Sequence, residues 1–180
     1  MRCAASTIPR PSIRSMVAPA ILATGVAATL ALTACDAGKP PASMPVAVNG
    51  KTFTCRLAID PAAREQGLGG VASLAPDEGM LFAFTDSAPR SFWMRGCIMD
   101  IDIAFIDPFG FVTAVHTMPK EELKGADETV VSYEGRLAKY PSLAPAQYAL
   151  EVAPGTLAPL GVKRGTRVEF DRELLKKHAK

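Results

Sequence analysis

The chain has 180 residues, 48% of them apolar, with 20 Lys and Arg against 18 Asp and Glu, enough for one domain and too little for two sizeable ones. The formal charge of +2 is misleading, because Arg2, Arg10 and Arg14 fall in the first 35 residues, which hold no acid. The remainder carries 17 basic and 18 acidic residues, net −1, and these charges are interleaved, which leaves no electrostatic footprint for nucleic acid.

Residues 1–35 read as an export signal. Met1 to Met16 is basic, and Val17 to Thr33 runs without a charge. The exit Leu32-Thr33-Ala34-Cys35 resembles the bacterial lipoprotein signal box. That resemblance implies cleavage before Cys35 and acylation of its thiol, so the membrane is the expected partner and the extracytoplasmic face the expected location. In a Gram-negative cell that face is periplasmic. Two or more acyl chains hold a protein stably on a bilayer, at about 0.8 kcal/mol for each buried methylene. An uncleaved signal anchor competes, although Pro19 and Gly25 interrupt a run shorter than a comfortable span. A buried core helix is the third reading. Residues 36–45, D-A-G-K-P-P-A-S-M-P, form a Pro-rich tether, and the domain is expected over 46–170 with a basic tail over 171–180.

Asn49-Gly50 between alternating runs predicts a tight hairpin. In its second strand Phe53, Cys55, Leu57 and Ile59 share one face, so Cys55 points into the core. Asp60-Pro61 caps and starts a short helix through about Gln66, and Gly67 ends it. Gly79 to Phe84 reads as a buried strand, and Ser87 to Arg90 as a turn. Ile101 to Ile106 and Phe111 to His116 flank the hairpin turn Asp107-Pro108-Phe109-Gly110. Glu121 to Tyr140 is polar and weakly patterned, a long excursion. Gln147 to Val152 is a strand, Gly155 to Leu160 one helical turn, and Arg167 to Phe170 a last strand. The tail from Arg172 reads as a frayed helix. Closely spaced short strands predict a mainly β (α+β) domain: a compact antiparallel sheet or partly closed barrel with one or two short helices.

Five pieces in order are Gly67-Leu68, Glu78 to Phe84, Phe92 to Arg95, Asp102 to Asp107 and Tyr148 to Gly155. Together they resemble the domain of unknown function family 192 over roughly residues 46–170. The resemblance implies a compact β-rich domain, often exported or lipid-anchored, with no established chemistry. The chain departs from the family's usual Arg-Gly-Leu-Met at Gln66-Gly67-Leu68-Gly69. It also departs from the usual Asn-Thr at Gly96-Cys97, from Pro at Asp100, and from Gly-Asp at Gly165-Thr166.

Few residues carry chemistry. Asp100 and Asp102 share a strand face, where paired carboxylates bind a hard cation or divide acid and base roles. The plainer reading has Asp102 satisfying backbone or Arg groups at a strand start. His116 is the only His within the expected domain, and no Cys or His pair has zinc spacing, so no metal and no cofactor is expected. Cys55 and Cys97 are the cysteines left after processing; a disulfide and two buried free thiols are both open. Glu78, Trp93, Met94, Arg95 and Asp102 are the candidate ligand pocket, an aromatic wall with a cation that suits an anionic small molecule. The expected function is a monomeric, lipid-anchored module that binds a small ligand or an envelope protein, not nucleic acid. Its alternatives are an envelope hydrolase or metal-dependent enzyme using Asp100, Asp102, Glu78 and His116, and a structural or assembly role.

Overall fold

The computed structural model describes residues 38–180. The signal segment, Cys35 and the first two residues of the tether lie outside them. Strands β1 (Ser43–Val48) and β2 (Lys51–Ala58) form the expected hairpin, with Asn49 and Gly50 both at positive φ, the geometry of a type I′ turn. Helix α1 (Pro61–Gln66) starts where Asp60 accepts the Ala63 N–H and ends at Gly67, φ 51°. Strand β3 (Glu78–Ala88) follows, longer than the buried run, and takes in half of the expected Ser87 to Arg90 turn. Then come β4 (Ser91–Phe92), β5 (Ile101–Ile106), β6 (Val112–Met118), β7 (Tyr140–Pro141), β8 (Ala146–Val152) and β9 (Val168–Glu169).

The main sheet has seven strands in the order β6-β5-β8-β3-β2-β1-β9 and curls into a half-barrel; β4 and β7 make a separate pair. The Phe111–Arg167 bridge ties the two edges of the curl, helped by Val112 N–H to Thr166 O at 2.9 Å and Val168 N–H to Gly110 O at 2.8 Å. One pairing departs from the antiparallel expectation: β2 and β3 run parallel, Cys55 opposite Gly79. Parallel neighbours need a crossover, and residues 59–77, with α1, supply it.

Alternation divides the apolar residues between two cores. Phe53, Cys55, Leu81, Tyr148, Leu150 and Val152 belong to the first, inside the curl. Met80, Phe82, Met94, Cys97, Ile103 and Phe105 belong to the second, on the outer face. Gly79 is forced by this packing: a Cβ there would sit 2.7 Å from the Glu151 carbonyl oxygen and 3.1 Å from the Cys55 sulfur.

Three expectations are corrected. The excursion after Glu121 holds a helix, α2 (Val130–Arg136), capped by Thr129 and anchored by buried Tyr133. Residues 155–160 form turns and no helix. The tail is a docked helix, α3 (Arg172–His178), with Asp171 as its N-cap and Leu175 buried in the first core. Beyond it, Lys180 N–H reaches Ile59 O at 2.8 Å.

Candidate functional site

A cavity of about 410 Å³ opens on the outer face of the sheet. Its walls come from four places in the chain. The crossover supplies Arg64, Glu65 and Gln66 of α1 with Gly67 and Leu68; β3 supplies Phe82 and Phe84. The stretch from Pro89 through β4 to Cys97 supplies Arg90, Phe92, Trp93 and Arg95, and β8 supplies Glu151.

Packing sets this geometry. Phe92 meets Phe82 edge-on at 5.0 Å between ring centroids and Phe105 at 5.2 Å, so the β4 segment is seated on the outer core. The loop after it turns at Gly96, φ 69°, whose N–H is held by the Tyr133 hydroxyl at 2.9 Å. Gly96 O accepts Gly70 N–H at 3.0 Å, which pins the loop to the crossover. Arg95 joins α1 to α2, pairing with Glu65 at 3.5 Å and Glu134 at 2.8 Å. Lys139 Nζ stands 3.5 Å from the centroid of the Trp93 ring, and that ring is partly exposed.

Glu151 is the unusual member. It is 5% exposed, on the outer face of β8 between Met80 of β3 and Ile103 of β5. Its Oε2 is buried without a hydrogen-bond partner, and no basic side chain among the described residues pairs with it. Burial pushes its carboxyl up to about 8, so it is a neutral acid at pH 7. Cys97, in the same lining, is pushed up to about 11, first by burial and then by the Glu151 charge. The thiol ionises after the carboxyl and stays protonated, which makes it a poor nucleophile. An acid in the run Ala-Gln-Tyr-Ala-Leu-Glu-Val, with no basic residue in that strand, was the signal that sequence reasoning passed over.

The residues singled out from sequence are dispersed. Of the five pocket candidates, Trp93 and Arg95 line the cavity, whereas Met94 is packed into the outer core. Glu78 borders a different hollow with Thr54 and Asp77, its Oε2 accepting Ala75 N–H. Asp102 is 1% exposed and takes the plainer role: it accepts Thr117 Oγ1 at 2.8 Å, Thr156 N–H at 2.8 Å and Leu157 N–H at 3.0 Å. That clamp holds the loop after β8 against β5. Asp100 accepts Lys120 N–H, and His116 bonds Pro141 O through Nε2. Asp100, Asp102, Glu78 and His116 therefore share no cleft, and the enzyme alternative built on them loses its site. Among the described residues no group of three or more His, Cys, Asp or Glu could hold a metal ion.

The Cys55–Cys97 bridge does not form: both are free thiols, Cys55 inside the curl and Cys97 on the outer face. Burial pushes Cys55 up to about 12.

Among solved structures, a protein from Sinorhizobium meliloti 1021 described as a "putative transcription regulator" is 33% identical with a TM-score of 0.59. The match covers 73% of this chain and 95% of that one. A protein of unknown function from Novosphingobium aromaticivorans DSM 12444 is 26% identical with a TM-score of 0.57, over 77% of this chain and 97% of that one. Comparison with curated proteins gives no match. Residues 44–170 match the profile of DUF192, described as Uncharacterized ACR. The chain belongs to the DUF192 family.

Proposed function

We propose that the domain is a small-molecule binding module and that its site is the cavity over Glu151. The observation that carries this is a buried carboxyl with no partner, opening into a cavity walled by Phe82, Phe84, Phe92 and Trp93. A buried polar group left unpaired costs about 1–3 kcal/mol, and a bound ligand would remove that cost. The lining also carries Arg64, Arg90 and Arg95 with one exposed acid, Glu65, while the other acid partners, Asp86 of Arg90 and Glu134 of Arg95, lie outside it; on the cavity side this favours a ligand with negative charge and an apolar body. A nucleic-acid role, to which the Sinorhizobium neighbour's description points, gains nothing from the interleaved charges of residues 36–180.

Trp93 is the only tryptophan and borders the cavity, so its fluorescence reports occupancy directly. Low-molecular-weight cell extract, fractionated by charge, is titrated against the protein. Quenching by an anionic fraction is the expected result; no change with any fraction overturns the reading.

The module is further proposed to be held on the extracytoplasmic face of a bacterial membrane by acylated Cys35. The Leu32 to Cys35 box and the apolar run before it support this. Incorporation of labelled palmitate, lost in Cys35→Ser, is the expected result. Equal labelling of both proteins would sink it.

A further inference from the structure

We propose that Glu151 binds in its protonated form, donating a hydrogen bond to the head group of an organic carboxylate seated in the cavity. This rests on the binding reading above and adds the head group and its proton requirement. The Arg64 and Arg90 guanidinium carbons lie 5.1 and 4.0 Å from the centroid of the same ring, Phe84. Both side chains are fixed by backbone carbonyls: Arg64 Nη1 donates to Ala83 O at 3.0 Å and Nη2 to Lys180 O at 2.6 Å, and Arg90 Nε donates to Ala146 O at 3.3 Å. Two like charges are thus held against one ring. Arg90 is ion-paired with Asp86 at 2.5 Å and Arg64 lies near Asp60, and both acids sit outside the cavity lining. An anionic head group between the wall and Glu151 would add a partner on the cavity side.

The charge on Glu151 then decides the class. The elements packed around it contribute Arg64 and Glu65 from α1, Arg90 from the turn after β3, and Arg95 and Cys97 from the loop after β4. Its cross-strand neighbours Met80 and Ile103 cannot titrate. None of these groups forms an ion pair with the Glu151 carboxyl, so burial alone keeps the proton on it. A neutral carboxyl has one O–H to give, and a carboxylate is the acceptor that makes the shorter, charge-assisted bond. A cationic ligand would need Glu151 stripped of its proton and would add positive charge beside three arginines. A ligand carboxylate beside an ionised Glu151 would put two anions in one cavity, with the buried one lacking any ion-pair partner. Binding therefore requires the proton on Glu151.

Phenylacetate, 2-phenylethylamine and 2-phenylethanol share one apolar body and differ in head-group charge. Each is titrated against the full chain in detergent, by Trp93 fluorescence, between pH 6 and pH 9. The expected result is binding of phenylacetate at pH 6 at least about tenfold tighter than either other compound. Its affinity then falls about tenfold for each pH step once Glu151 has ionised. Glu151→Gln, which keeps a neutral donor, retains the pH 6 affinity within about threefold and loses the pH dependence. Glu151→Ala loses binding at every pH. A second readout needs no variant: calorimetry at pH 8 in buffers of different ionisation heat shows proton uptake on binding phenylacetate. Affinity for phenylacetate that ignores pH, or an amine that binds more tightly as pH rises, overturns the carboxylate assignment and leaves the binding reading standing. Silence from all three compounds overturns the carboxylate assignment, while the binding reading stands or falls on the extract titration.

Discussion

Replacing Glu151 with Gln should stabilise the protein at neutral and alkaline pH. The side chain is 5% exposed, and its carboxyl is pushed from an ordinary 4.5 up to about 8. Folding therefore takes up a proton between those two values, and stability falls as pH rises through that window. At about 1.4 kcal/mol for each pH step, the wild-type protein loses on the order of 5 kcal/mol from pH 4.5 to pH 8, and then no more. The Gln variant has no proton to take up, so the difference between the two proteins follows the same course. At pH 5 the two should be close; at pH 8 the variant should lead by several kcal/mol, less the cost of any amide hydrogen left unpaired. Urea unfolding followed by Trp93 fluorescence, at half-unit steps from pH 4.5 to pH 9, measures this. A stability difference that is flat across that range would refute the claim that Glu151 is buried and neutral.

Three further outcomes follow from the packing. Asp102→Ala should destabilise by about 2–4 kcal/mol in chemical denaturation, because the Thr156 and Leu157 N–H groups lose their acceptor in a buried place. An unchanged midpoint would mean that water replaces the carboxylate. Gly79→Ala should cost several kcal/mol or prevent folding, since its Cβ would stand 2.7 Å from Glu151 O; circular dichroism melts check it. In the native protein at pH 8 both thiols should react slowly with iodoacetamide, Cys97 ahead of Cys55 because it lines the cavity. Mass spectrometry after timed quenching reads the order, and an unfolded control should label both at once. A fast native Cys55 would contradict its place inside the curl.

Local chemistry made much of the fold legible. Asn49-Gly50 names its turn, Asp60-Pro61 names a helix start, and alternation in Phe53 to Ile59 names a face, because each depends on near neighbours in the chain. The mainly β class followed from the spacing of short strands, which left a compact sheet and a partly closed barrel both open; the curl of the sheet decides between them. What was missed depends on distant partners. Residues 130–136 become helical because Tyr133 finds a slot under the Gly96 loop, and no periodicity announces that. The parallel β2–β3 pairing is a property of the crossover, not of either strand. The tail helix is amphipathic only with respect to a core built largely by distant strands, where Leu175 joins Val46 and Phe53. For the site the same division holds. Trp93 and Arg95 stand out by residue type, whereas Glu151 signals itself only as an acid in a strand without a basic residue, and its isolation is complete once β3 and β5 close on both sides of it. Asp102 had the reverse fate: an acid in a strand looks reactive until three donors are found around it.

The crossover between β2 and β3 has an evolutionary consequence. The cavity is lined by the connection at residues 64–68 and by the segment leading to Cys97, while Glu151 belongs to the sheet. Two of the chain's departures from the usual family residues, at 66–69 and 96–97, fall on or beside those two segments, whereas those at Asp100 and 165–166 do not. Loops tolerate exchange far better than paired strands do. Exchange in these two short connections would therefore reshape the cavity while leaving Glu151 and the register of its strand intact.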